Sequence, residues 1–481
     1  MTARTDRERL VVVGNGMAAT RLVEELVDRG YDGHVTILGD EPGPAYNRIL
    51  LSAVLEGTHA RNALTLRHSA WYADHGIDLR TDSRVLEIER GVEPDADLGR
   101  TGSPRHVMLV DGSTVPYDRL VLATGAIPTL PPIRGLVQMN GTLHPKVHAF
   151  RSLADCQRLL AAVPDVLARR GRAVVVGGGL LGLQVARALS VRGVPTEVVE
   201  GTEHLLSAQV DDRGGSVLAR SLRRLGTEVY PGTRAVRLTE AGLRLDTGYS
   251  LETDLVVLTA GGRPSTALAR RAGLFVRRGV VVDSRLASVT DGRIHAIGDC
   301  AEHGGRTTGF VSPAWEQAGV LARHLVGEEV AYRGSRIVAR LRATGLDVAV
   351  LGDPEHTSGE VVEVTNPVTG THRKLVVRDG RIVAGALVGD LSRIGLITQH
   401  YDRGTVLGPQ EPGALVMAEP PEVARTTVLP DDVEVCACAG VSAGRIRACG
   451  SFDDVRSATR ATTGCGGCAG AVRELLAHGR P

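Results

Sequence analysis

The sequence predicts an α/β protein in which one strand–turn–helix domain is inserted into another. Two apolar strands, Leu10–Val13 and Ala173–Val176, each lead into a glycine-rich turn and then into a helical pattern. The order strand, turn, helix, strand predicts a parallel βαβ unit in both places. Two later apolar segments, Leu120–Gly125 and Ile294–Asp299, are expected to return to the first sheet. The first domain is therefore expected to be discontinuous.

The composition excludes several classes of partner. Of 481 residues, 43% are apolar and 23% are charged, which is typical of a globular protein. The 56 basic and 55 acidic side chains give a net charge of +1, which argues against nucleic acid or a membrane surface as partner. Aromatic residues make up only 3%, so a stacking platform for bases is not expected.

No targeting segment or membrane span is predicted. The first ten residues, MTARTDRERL, are polar and charged, unlike a secretory signal. No run of about 18 uninterrupted apolar residues occurs, which is the length that a spanning helix needs. A cytoplasmic enzyme is therefore the expectation.

The first glycine turn has the pattern of a pyrophosphate-binding loop. Gly14 permits a tight bend, and Gly16 lets the backbone approach phosphate groups. Met17 and Ala18 follow the two glycines, and the small Ala19 allows the following helix to pack closely on the strand. The N–H groups at the start of that helix favour an anion. These five residues are candidates for cofactor binding.

Further candidates follow the second strand of each unit. In the first unit a helix over Thr20–Arg29 precedes the strand His34–Leu38. Asp40 or Glu41, just after that strand, would accept hydrogen bonds from ribose hydroxyls. In the second unit the corresponding strand is Thr196–Val199.

The second glycine turn carries the full fingerprint of a nicotinamide dinucleotide site. Gly177, Gly179 and Gly182 have the G-x-G-x-x-G spacing, and Glu200 ends the next strand as a ribose acceptor. No arginine occurs in Gly201–Ala208 to pair with a 2′-phosphate. NADH is therefore predicted in preference to NADPH, which is the alternative cofactor.

Residues beyond the two nucleotide units predict smaller modules. Residues 91–105 are polar and turn-rich and predict a loop. Alternating strands such as Lys374–Val377 and Arg381–Val388 predict a small α/β cap domain over about 330–400. Residues 408–432 are rich in Pro, Glu and Asp and predict a linker.

Five of the seven cysteines lie close together near the end of the chain. Cys436 and Cys438 form a C-x-C pair, and after 26 intervening residues Cys465 and Cys468 form a C-x-x-C pair. Four soft thiolates suit either Zn²⁺ or an iron–sulfur cluster. A zinc ion would staple a module of about 50 residues that could hardly hold a core unaided. Cys449 is interpreted as a spare cysteine.

The first domain resembles the two-dinucleotide-domain flavoproteins, and the resemblance implies FAD. Three segments carry it: Pro44–Arg48, Asp118–Gly125 and Ile294–Asp299. In that family the aspartate that matches Asp299 bonds the flavin ribitol chain. The arginine that matches Arg48 contacts the cofactor, and Thr124 and Gly125 belong to the second FAD motif.

The same resemblance shows two departures from the family pattern. Relatives have a glutamate near the nicotinamide where this chain has Gln184, but hydride transfer needs no acid or base from the protein. Disulfide reductases carry a C-x4-C pair after the first unit, whereas no cysteine precedes Cys156 here. Cys156 and Cys300 are expected to be small buried residues. No side chain is assigned a catalytic role.

The whole chain resembles the large subunit of assimilatory nitrite reductases and the electron-transfer subunit of assimilatory nitrate reductases. The matching segments are Tyr46–Ser52, Asp299–Arg306, Pro313–Ala318 and Val388–Asp390. The cysteine module resembles the bacterioferritin-associated ferredoxin type of [2Fe–2S] domain. That resemblance implies that all four paired cysteines bind the cluster, and it favours a redox cluster over zinc.

The resemblance implies a relay from NADH to FAD to [2Fe–2S] and then to another redox protein. A sirohaem–[4Fe–4S] domain needs four more cysteines, and the sequence stops at Pro481, so nitrite reduction within the chain is not expected. The catalytic subunit of an assimilatory nitrate or nitrite reductase is the first choice of partner. The alternatives are a ferredoxin or rubredoxin reductase for an oxygenase, an amine or amino-acid dehydrogenase component, and a protein that docks on bacterioferritin or senses iron.

The predicted fold is thus a two-dinucleotide-binding-domain flavoprotein with an inserted NAD domain, a small α/β cap and a small helical iron–sulfur domain. The expected domains are FAD-binding 1–142 and 262–326, NAD(P)H-binding 143–261, cap 327–410, linker 411–432 and [2Fe–2S] 433–481.

Overall fold

A computed structural model describes residues 7–91, 103–417, 429–436, 438–464 and 466–478. The chain divides into two compact units, each assembled from three stretches of sequence. The first unit comprises Met1–Asn47, Asn62–Ile127 and Gly262–Ser335, and the second comprises Arg48–Arg61, Pro128–Gly261 and Arg336–Pro481.

A five-stranded parallel sheet forms the centre of the first unit. Its strands, in order across the sheet, are Ile294–Ala296, Arg119–Leu122, Arg9–Val13, His34–Leu38 and Asp78–Arg80. The apolar run of the central strand is buried because both faces of the sheet are covered. The prediction that two later segments return to this sheet is confirmed, because both supply strands parallel to the first.

Smaller strands and helices complete the first unit. The strands are Val85–Glu89, His106–Leu109, Thr114–Pro116, Ala126–Pro128, Gly262–Pro264, Val280–Val282 and Ala301–His303. The α-helices are Met17–Asp28, Ser69–Asp74, Ala267–Arg271 and Val311–Leu325, and the 3₁₀ helices are Arg61–Leu64 and Gly298–Cys300. The first helix begins three residues before the predicted Thr20, because Gly16 is already its N-cap.

The nucleotide domain of the second unit repeats the parallel sheet. Its strands, in spatial order, are Thr227–Tyr230, Thr196–Val199, Ala173–Val176, Leu255–Leu258 and Val147–Ala149. An antiparallel sheet of Ala235–Thr239, Gly242–Leu245 and Ser250–Leu251 is attached to it. The helices are Leu51–Glu56, Leu153–Ala168, Leu180–Val191 and Asp212–Arg224, with Arg48–Leu50 as a 3₁₀ turn.

The rest of the second unit contains an antiparallel sheet and the cysteine module. The sheet runs Val338–Ala343, Leu346–Leu351, Arg381–Val388, Thr371–Arg378 and Glu360–Asn366, with helices Ile394–Arg403 and Glu411–Val416. The module has strands Glu434–Cys436 and Val441–Ser442 and helices Ala443–Arg447, Phe452–Thr459 and Ala469–His478.

Part of the predicted linker is helical. The helix Glu411–Val416 buries Leu415 and Val416 in the core of the antiparallel sheet, which explains why this part of the predicted linker belongs to the fold. Residues 418–428, like 92–102 of the predicted loop, lie outside the described residues. The predicted domain boundaries remain predictions. Among the described residues no helix has the length and apolar character needed to cross a bilayer.

Candidate functional site

The first glycine turn lies where three parallel strands of the first sheet end. Gly14 has φ +109°, and a Cβ at this position would lie 2.3 Å from the carbonyl oxygen of Ala123. Its N–H donates to the carbonyl of Leu38 at 2.8 Å. Only glycine combines this backbone conformation with so close an approach. The turn is thus locked between both neighbouring strands.

The residues after Gly14 leave space on one side and pack tightly on the other. A Cβ on Gly16 would meet no atom within 4 Å. Met17 and Ala19, in contrast, lie on the buried face of the helix that begins at Met17. Ala18 faces the third motif, since a Cβ on Gly298 would lie 3.2 Å from its own Cβ. The open side is the one on which a pyrophosphate could approach the backbone.

A buried polar atom in this turn supports the fit of a polar ligand. The amide nitrogen of Asn15 donates to the carbonyl of Gly43 at 3.3 Å. Its Oδ1 is buried and has no hydrogen-bond partner among the described residues. Buried acceptors are normally satisfied, so the turn has an unused acceptor beside the open glycine. This acceptor fits a dinucleotide that brings a donor, such as a ribose hydroxyl, while the open glycine fits its pyrophosphate.

The two acidic candidates after the second strand differ in their surroundings. Asp40 is exposed. Glu41 accepts a hydrogen bond from the Tyr46 hydroxyl at 2.7 Å. Asp40 is therefore the more accessible acceptor. Arg48, the remaining candidate from this stretch, begins the short helix Arg48–Leu50 in the second compact unit.

The second and third motifs converge on the same strand ends. Thr124 donates its hydroxyl to the carbonyl of Ser265 at 2.8 Å. Gly125 has φ +67°, and a Cβ there would meet nothing within 4 Å. Asp299 lies in a 3₁₀ turn whose first N–H, at Gly298, donates to the side chain of Gln317 at 2.7 Å. The structure thus gathers the candidates of the first unit at one edge of its sheet.

Gln317 was not singled out from the sequence. Its side chain is only 2% exposed, and it positions the turn that holds Asp299 through the bond to Gly298. A buried amide on the apolar face of the helix Val311–Leu325 is the signal that could have identified it.

The second glycine turn repeats this geometry. Gly177 has φ +116°, and a Cβ there would lie 2.7 Å from the carbonyl oxygen of Thr259. A Cβ on Gly182 would lie 1.8 Å from the carbonyl oxygen of Gly177, whereas one on Gly179 would meet nothing within 4 Å. Gly179 is also the N-cap of the helix Leu180–Val191. The pattern is a tight turn, an open helix N-terminus and a close helix–strand contact.

Glu200 lies at the mouth of the second turn. One carboxylate oxygen accepts the N–H of Gly178 at 2.6 Å, and the other accepts the N–H of Thr202 at 2.8 Å. The carboxylate therefore bridges the glycine turn and the end of its neighbouring strand. This is the position from which an acidic side chain bonds a ribose hydroxyl. All four candidates of this site come together.

Gln184 lies in the first turns of the same helix. Its amide nitrogen lies 3.4 Å from the carbonyl oxygen of Arg342 in the strand Val338–Ala343. The side chain is half-buried and carries no charge. Gln184, which stands where relatives have a glutamate, thus contacts the antiparallel sheet.

Cys156 and Cys300 are buried, as predicted. The Cys300 thiol donates to the carbonyls of Leu122 and Ile297 at 3.3 Å, and burial raises its pKa. The Cys156 thiol donates to the carbonyl of Leu51 at 3.5 Å, and burial raises its pKa to about 11. Neither thiol is poised to ionise as a nucleophile.

The cysteine module brings two of its predicted ligands into contact. Cys436 and Cys468 are 3% and 6% exposed. A hydrogen bond with Cys468, reinforced by burial, raises the pKa of Cys436 far above its usual value. Two neighbouring thiols in a largely apolar pocket fit a site where a soft metal replaces their protons.

The other module cysteines differ in their placement. Cys438 is half-buried in the turn after Cys436, and Cys465 lies outside the described residues. Cys449 donates its thiol to the carbonyl of Arg445, one helical turn earlier, at 3.4 Å. Within the described part of the chain, no group of three or more His, Cys, Asp or Glu side chains has metal-ligating geometry.

The loop that carries Gly466, within the second predicted cysteine pair (the cluster loop), packs against another segment of the second unit. A Cβ on Gly466 would lie 3.3 Å from Cδ2 of Leu50. Close by, burial together with the charges of Arg456 and Arg473 lowers the pKa of His59. The helix Ile394–Arg403 packs on the strand that ends at Cys436. The module is therefore held by contacts on two sides.

Comparisons with protein families match three stretches of the chain. Residues 8–318 match the family model described as pyridine nucleotide-disulphide oxidoreductase. Residues 338–403 match the rubredoxin NAD+ reductase C-terminal domain, and residues 434–478 match a BFD-like [2Fe-2S] binding domain. The predicted fold class and the predicted type of cysteine module are thereby confirmed.

Curated relatives confirm the resemblance inferred from the motifs. A nitrite reductase [NAD(P)H] of Bacillus subtilis (strain 168) is 34% identical over 98% of this chain and 58% of its own length. The assimilatory nitrate reductase electron transfer subunit of the same organism is 31% identical, over 98% of this chain and 60% of its own. The chain thus spans somewhat more than half the length of these relatives.

Solved structures share the fold. The putidaredoxin reductase–putidaredoxin complex matches with a TM-score of 0.73 at 24% identity, over 85% of this chain and 96% of that one. A ferredoxin reductase from Rhodopseudomonas palustris matches with a TM-score of 0.69 at 26% identity, over 79% and 91%.

Proposed function

We propose that this chain, which belongs to the pyridine nucleotide-disulphide oxidoreductase family, passes electrons from NADH through FAD and a [2Fe–2S] cluster to a separate reductase. It is an NAD(P)H-dependent oxidoreductase whose cofactors are FAD, NAD(P)H and [2Fe–2S]. The observation that carries the proposal is the presence, in one chain, of two open glycine turns and a buried pair of cysteine thiols. Bound FAD takes electrons in pairs and can release them singly, as an iron–sulfur cluster requires.

Each nucleotide turn is proposed to bind and orient one cofactor. In the first unit, Gly14 and Gly16 would cradle the FAD pyrophosphate, Asp40 the ribose and Asp299 the ribitol chain. In the second, Gly179 would present the helix N-terminus to the NADH pyrophosphate, and Glu200 would hold the ribose. These roles follow from placement at the carboxyl ends of parallel strands, where open α/β sheets bind ligands.

The buried thiols support an exit of electrons through the cluster. Cys300 and Cys156 have raised pKa values because of burial, and neither forms a disulfide. A dithiol relay of the disulfide-reductase type is therefore not available to these two residues. Cys436, Cys438, Cys465 and Cys468 are proposed to hold the cluster that takes the electrons instead.

The contact between the cluster loop and Leu50 supports electron transfer within the chain. Leu50, which touches the Gly466 loop, lies two residues after Arg48, the arginine that the family resemblance assigns to the flavin. We propose that this contact supports reduction of the cluster.

The partner is proposed to be the catalytic protein of an assimilatory nitrate or nitrite reductase. The relatives that match along almost the whole of this chain carry these names. The chain contains the front end that they share, so the substrate chemistry would take place on another polypeptide or domain. Cytoplasmic location is part of the same proposal, because NADH and such reductases would have to meet there.

An anaerobic NADH titration of the purified protein tests the relay. Absorbance should show flavin bleaching, and electron paramagnetic resonance should show a reduced [2Fe–2S] signal in the same samples. The full-length Cys436→Ser variant is the control, in which the flavin should still bleach without that signal. Bleaching over a zinc-containing, resonance-silent module in the wild type would refute the cluster step and leave an NADH-dependent flavoprotein.

A ferredoxin- or rubredoxin-type reductase is the second candidate function. A nitric oxide reductase FlRd-NAD(+) reductase of Vibrio vulnificus is 29% identical over 72% of this chain and 85% of its own length. Stopped-flow mixing of the reduced protein with rubredoxin or ferredoxin distinguishes the two. Fast reduction that persists in Cys436→Ser would favour this reading, because the electrons would then leave directly from the flavin.

A further inference from the structure

An arginine from a distant part of the sequence lies at the ribose end of the second nucleotide turn. A Cβ placed on Gly201, directly after Glu200, would lie 3.1 Å from Cγ and 3.3 Å from Nε of Arg234. The side chain of Arg234 therefore runs along the backbone next to the ribose acceptor. The segment Gly201–Ala208 contains no arginine of its own, so only the fold supplies one.

Main-chain hydrogen bonds hold Arg234 in this place. The N–H of Thr233 donates to the carbonyl of Glu200 at 3.0 Å, and the N–H of Gly232 donates to the carbonyl of Thr202 at 2.7 Å. The N–H of Arg234 itself donates to the Asp246 carboxylate at 3.1 Å. The loop that carries Arg234 is thus held to the loop that carries Glu200 by main-chain hydrogen bonds, which do not depend on side-chain conformation.

The charge of Arg234 is available to a ligand. Its side chain is exposed and forms no ion pair with any residue that the structure describes. The Glu200 carboxylate, by contrast, is engaged by the N–H groups of Gly178 and Thr202. A guanidinium is well suited to a phosphate because it presents several donors in a fixed plane.

We propose that Arg234 pairs with the 2′-phosphate of NADPH and thereby sets how well NADPH competes with NADH at this site. A lone carboxylate at the ribose position disfavours a 2′-phosphate through like-charge repulsion. Arg234, beside Glu200, offsets that repulsion without removing the acceptor that NADH needs. The inference rests on the proposed binding of the adenosine ribose at Glu200.

Two small probes isolate the phosphate contact without electron transfer. Adenosine 2′,5′-diphosphate and 5′-AMP differ only by the 2′-phosphate, and isothermal titration calorimetry measures their binding to the full-length protein. Arg234→Gln should weaken binding of the diphosphate about tenfold or more, because the charge-assisted contact with the 2′-phosphate would be lost. Binding of 5′-AMP should change less than about twofold. The matched control is Arg244→Gln, an exposed arginine in the strand Gly242–Leu245.

Each outcome of the titrations decides a different point. Selective loss of the diphosphate in Arg234→Gln, with Arg244→Gln like the wild type, supports the inference. Equal weakening by both variants would indicate a general charge effect and overturn it. Wild-type protein that binds 5′-AMP but not the diphosphate would overturn it while leaving the NADH site intact. Failure to bind either probe would refute the proposed nucleotide site itself.

A preference measured with the whole cofactors gives a second readout. The ratio of kcat/KM for NADPH to that for NADH should fall about tenfold or more in Arg234→Gln. Raising the ionic strength should lower the wild-type affinity for adenosine 2′,5′-diphosphate more than that for 5′-AMP, because an exposed ion pair is screened by salt.

Discussion

At the scale of single residues, two glycines of one turn are required for different reasons. A Cβ on Gly182 would lie 1.8 Å from a backbone oxygen, while a Cβ on Gly179 would enter empty space. Gly182→Ala should therefore destabilise the protein by about 1–3 kcal/mol through overpacking. Gly179→Ala should keep the wild-type stability but weaken NADH binding, because the methyl group would occupy the proposed path of the pyrophosphate.

Thermal unfolding and NADH fluorescence titration of the two variants separate these effects. A Gly182→Ala protein that unfolds at the wild-type temperature would contradict the close helix–strand contact. Wild-type NADH affinity in Gly179→Ala would place the dinucleotide elsewhere.

The cysteines also divide by role. Cys436→Ser and Cys468→Ser should each lose the [2Fe–2S] cluster, because both thiols lie in one buried pocket. Cys449→Ser and Cys300→Ser should retain it, since their thiols donate to carbonyl groups instead. Iron content per chain and the visible absorption spectrum measure the difference. Loss of iron in Cys449→Ser alone would make Cys449 a ligand.

The sequence predicts some of these residues well and others not at all. A glycine such as Gly14 or Gly182 is recognisable because backbone geometry excludes every other residue and the spacing recurs. Arg234 is not recognisable, since it reaches Gly201 only after two loops 30 residues apart come together. Gln317 is hidden for the same reason, because its partner Gly298 lies on another element.

At the scale of elements, Glu302 fastens one small sheet of the first unit. Its side chain is 2% exposed and accepts the N–H groups of Arg278 and Gly279 at 2.8 and 3.0 Å, beside the guanidinium of Arg277. Burial alone would raise its pKa, but these partners outweigh burial and hold the pKa below its usual value. Glu302→Gln should cost about 1–3 kcal/mol at pH 7.

The sign of the pH dependence follows from the lowered pKa. The stability that ionised Glu302 contributes is present above the usual glutamate pKa of about 4.3 and is lost as the pH falls through the lower pKa of the folded state. Urea unfolding of wild type and Glu302→Gln should therefore give curves that draw together at acidic pH. Glu87→Gln, an exposed strand residue, is the control. A difference that stays constant down to pH 3 would rule out the charge as its source.

Asp211 joins a helix to the antiparallel sheet. Its carboxylate caps the helix Asp212–Arg224 through the N–H of Gly214 at 2.9 Å. The same carboxylate lies 3.1 Å from Nζ of Lys374 and 3.3 Å from Nε2 of His372. Asp211→Asn should keep the cap and lose the ion pair, at about 1 kcal/mol. Asp211→Ala should lose both, at about 2 kcal/mol. Equal costs in urea unfolding would show that the cap adds nothing.

Elements with a clear period could be predicted, and the others depend on tertiary packing. The parallel strands are continuous apolar runs and were placed correctly to within a residue or two, as with Arg9–Val13. The helix Glu411–Val416 falls in the stretch that its Pro, Glu and Asp content predicts to be a linker, and it forms because Leu415 and Val416 reach the core of a neighbouring sheet. Local composition carries no record of that contact.

At the scale of the whole molecule, the contact between Leu50 and the loop that carries Gly466 is proposed to affect the rate at which electrons reach the cluster. Leu50→Asp should leave the cluster in place but slow its reduction by NADH, since the apolar contact with the Gly466 loop would be lost. Stopped-flow absorbance of flavin and cluster, together with iron content, measures both. Val361→Asp, an exposed position on the strand Glu360–Asn366, is the control. Wild-type kinetics in Leu50→Asp would show that this contact does not affect the transfer step.

The discontinuity of the first unit has a consequence for synthesis on the ribosome. The sheet of the inserted domain is complete once Leu258 has emerged, because its five strands lie between Val147 and that residue. The first sheet needs Ile294–Ala296, about 170 residues after its neighbour Arg119–Leu122. At about 5–20 residues per second, that gap lasts roughly ten to thirty seconds. The early strands of the first sheet are therefore synthesised well before the strand that completes it. That strand, Ile294–Ala296, comes just before Asp299, so the turn proposed to receive the flavin is the last part of that sheet to be made.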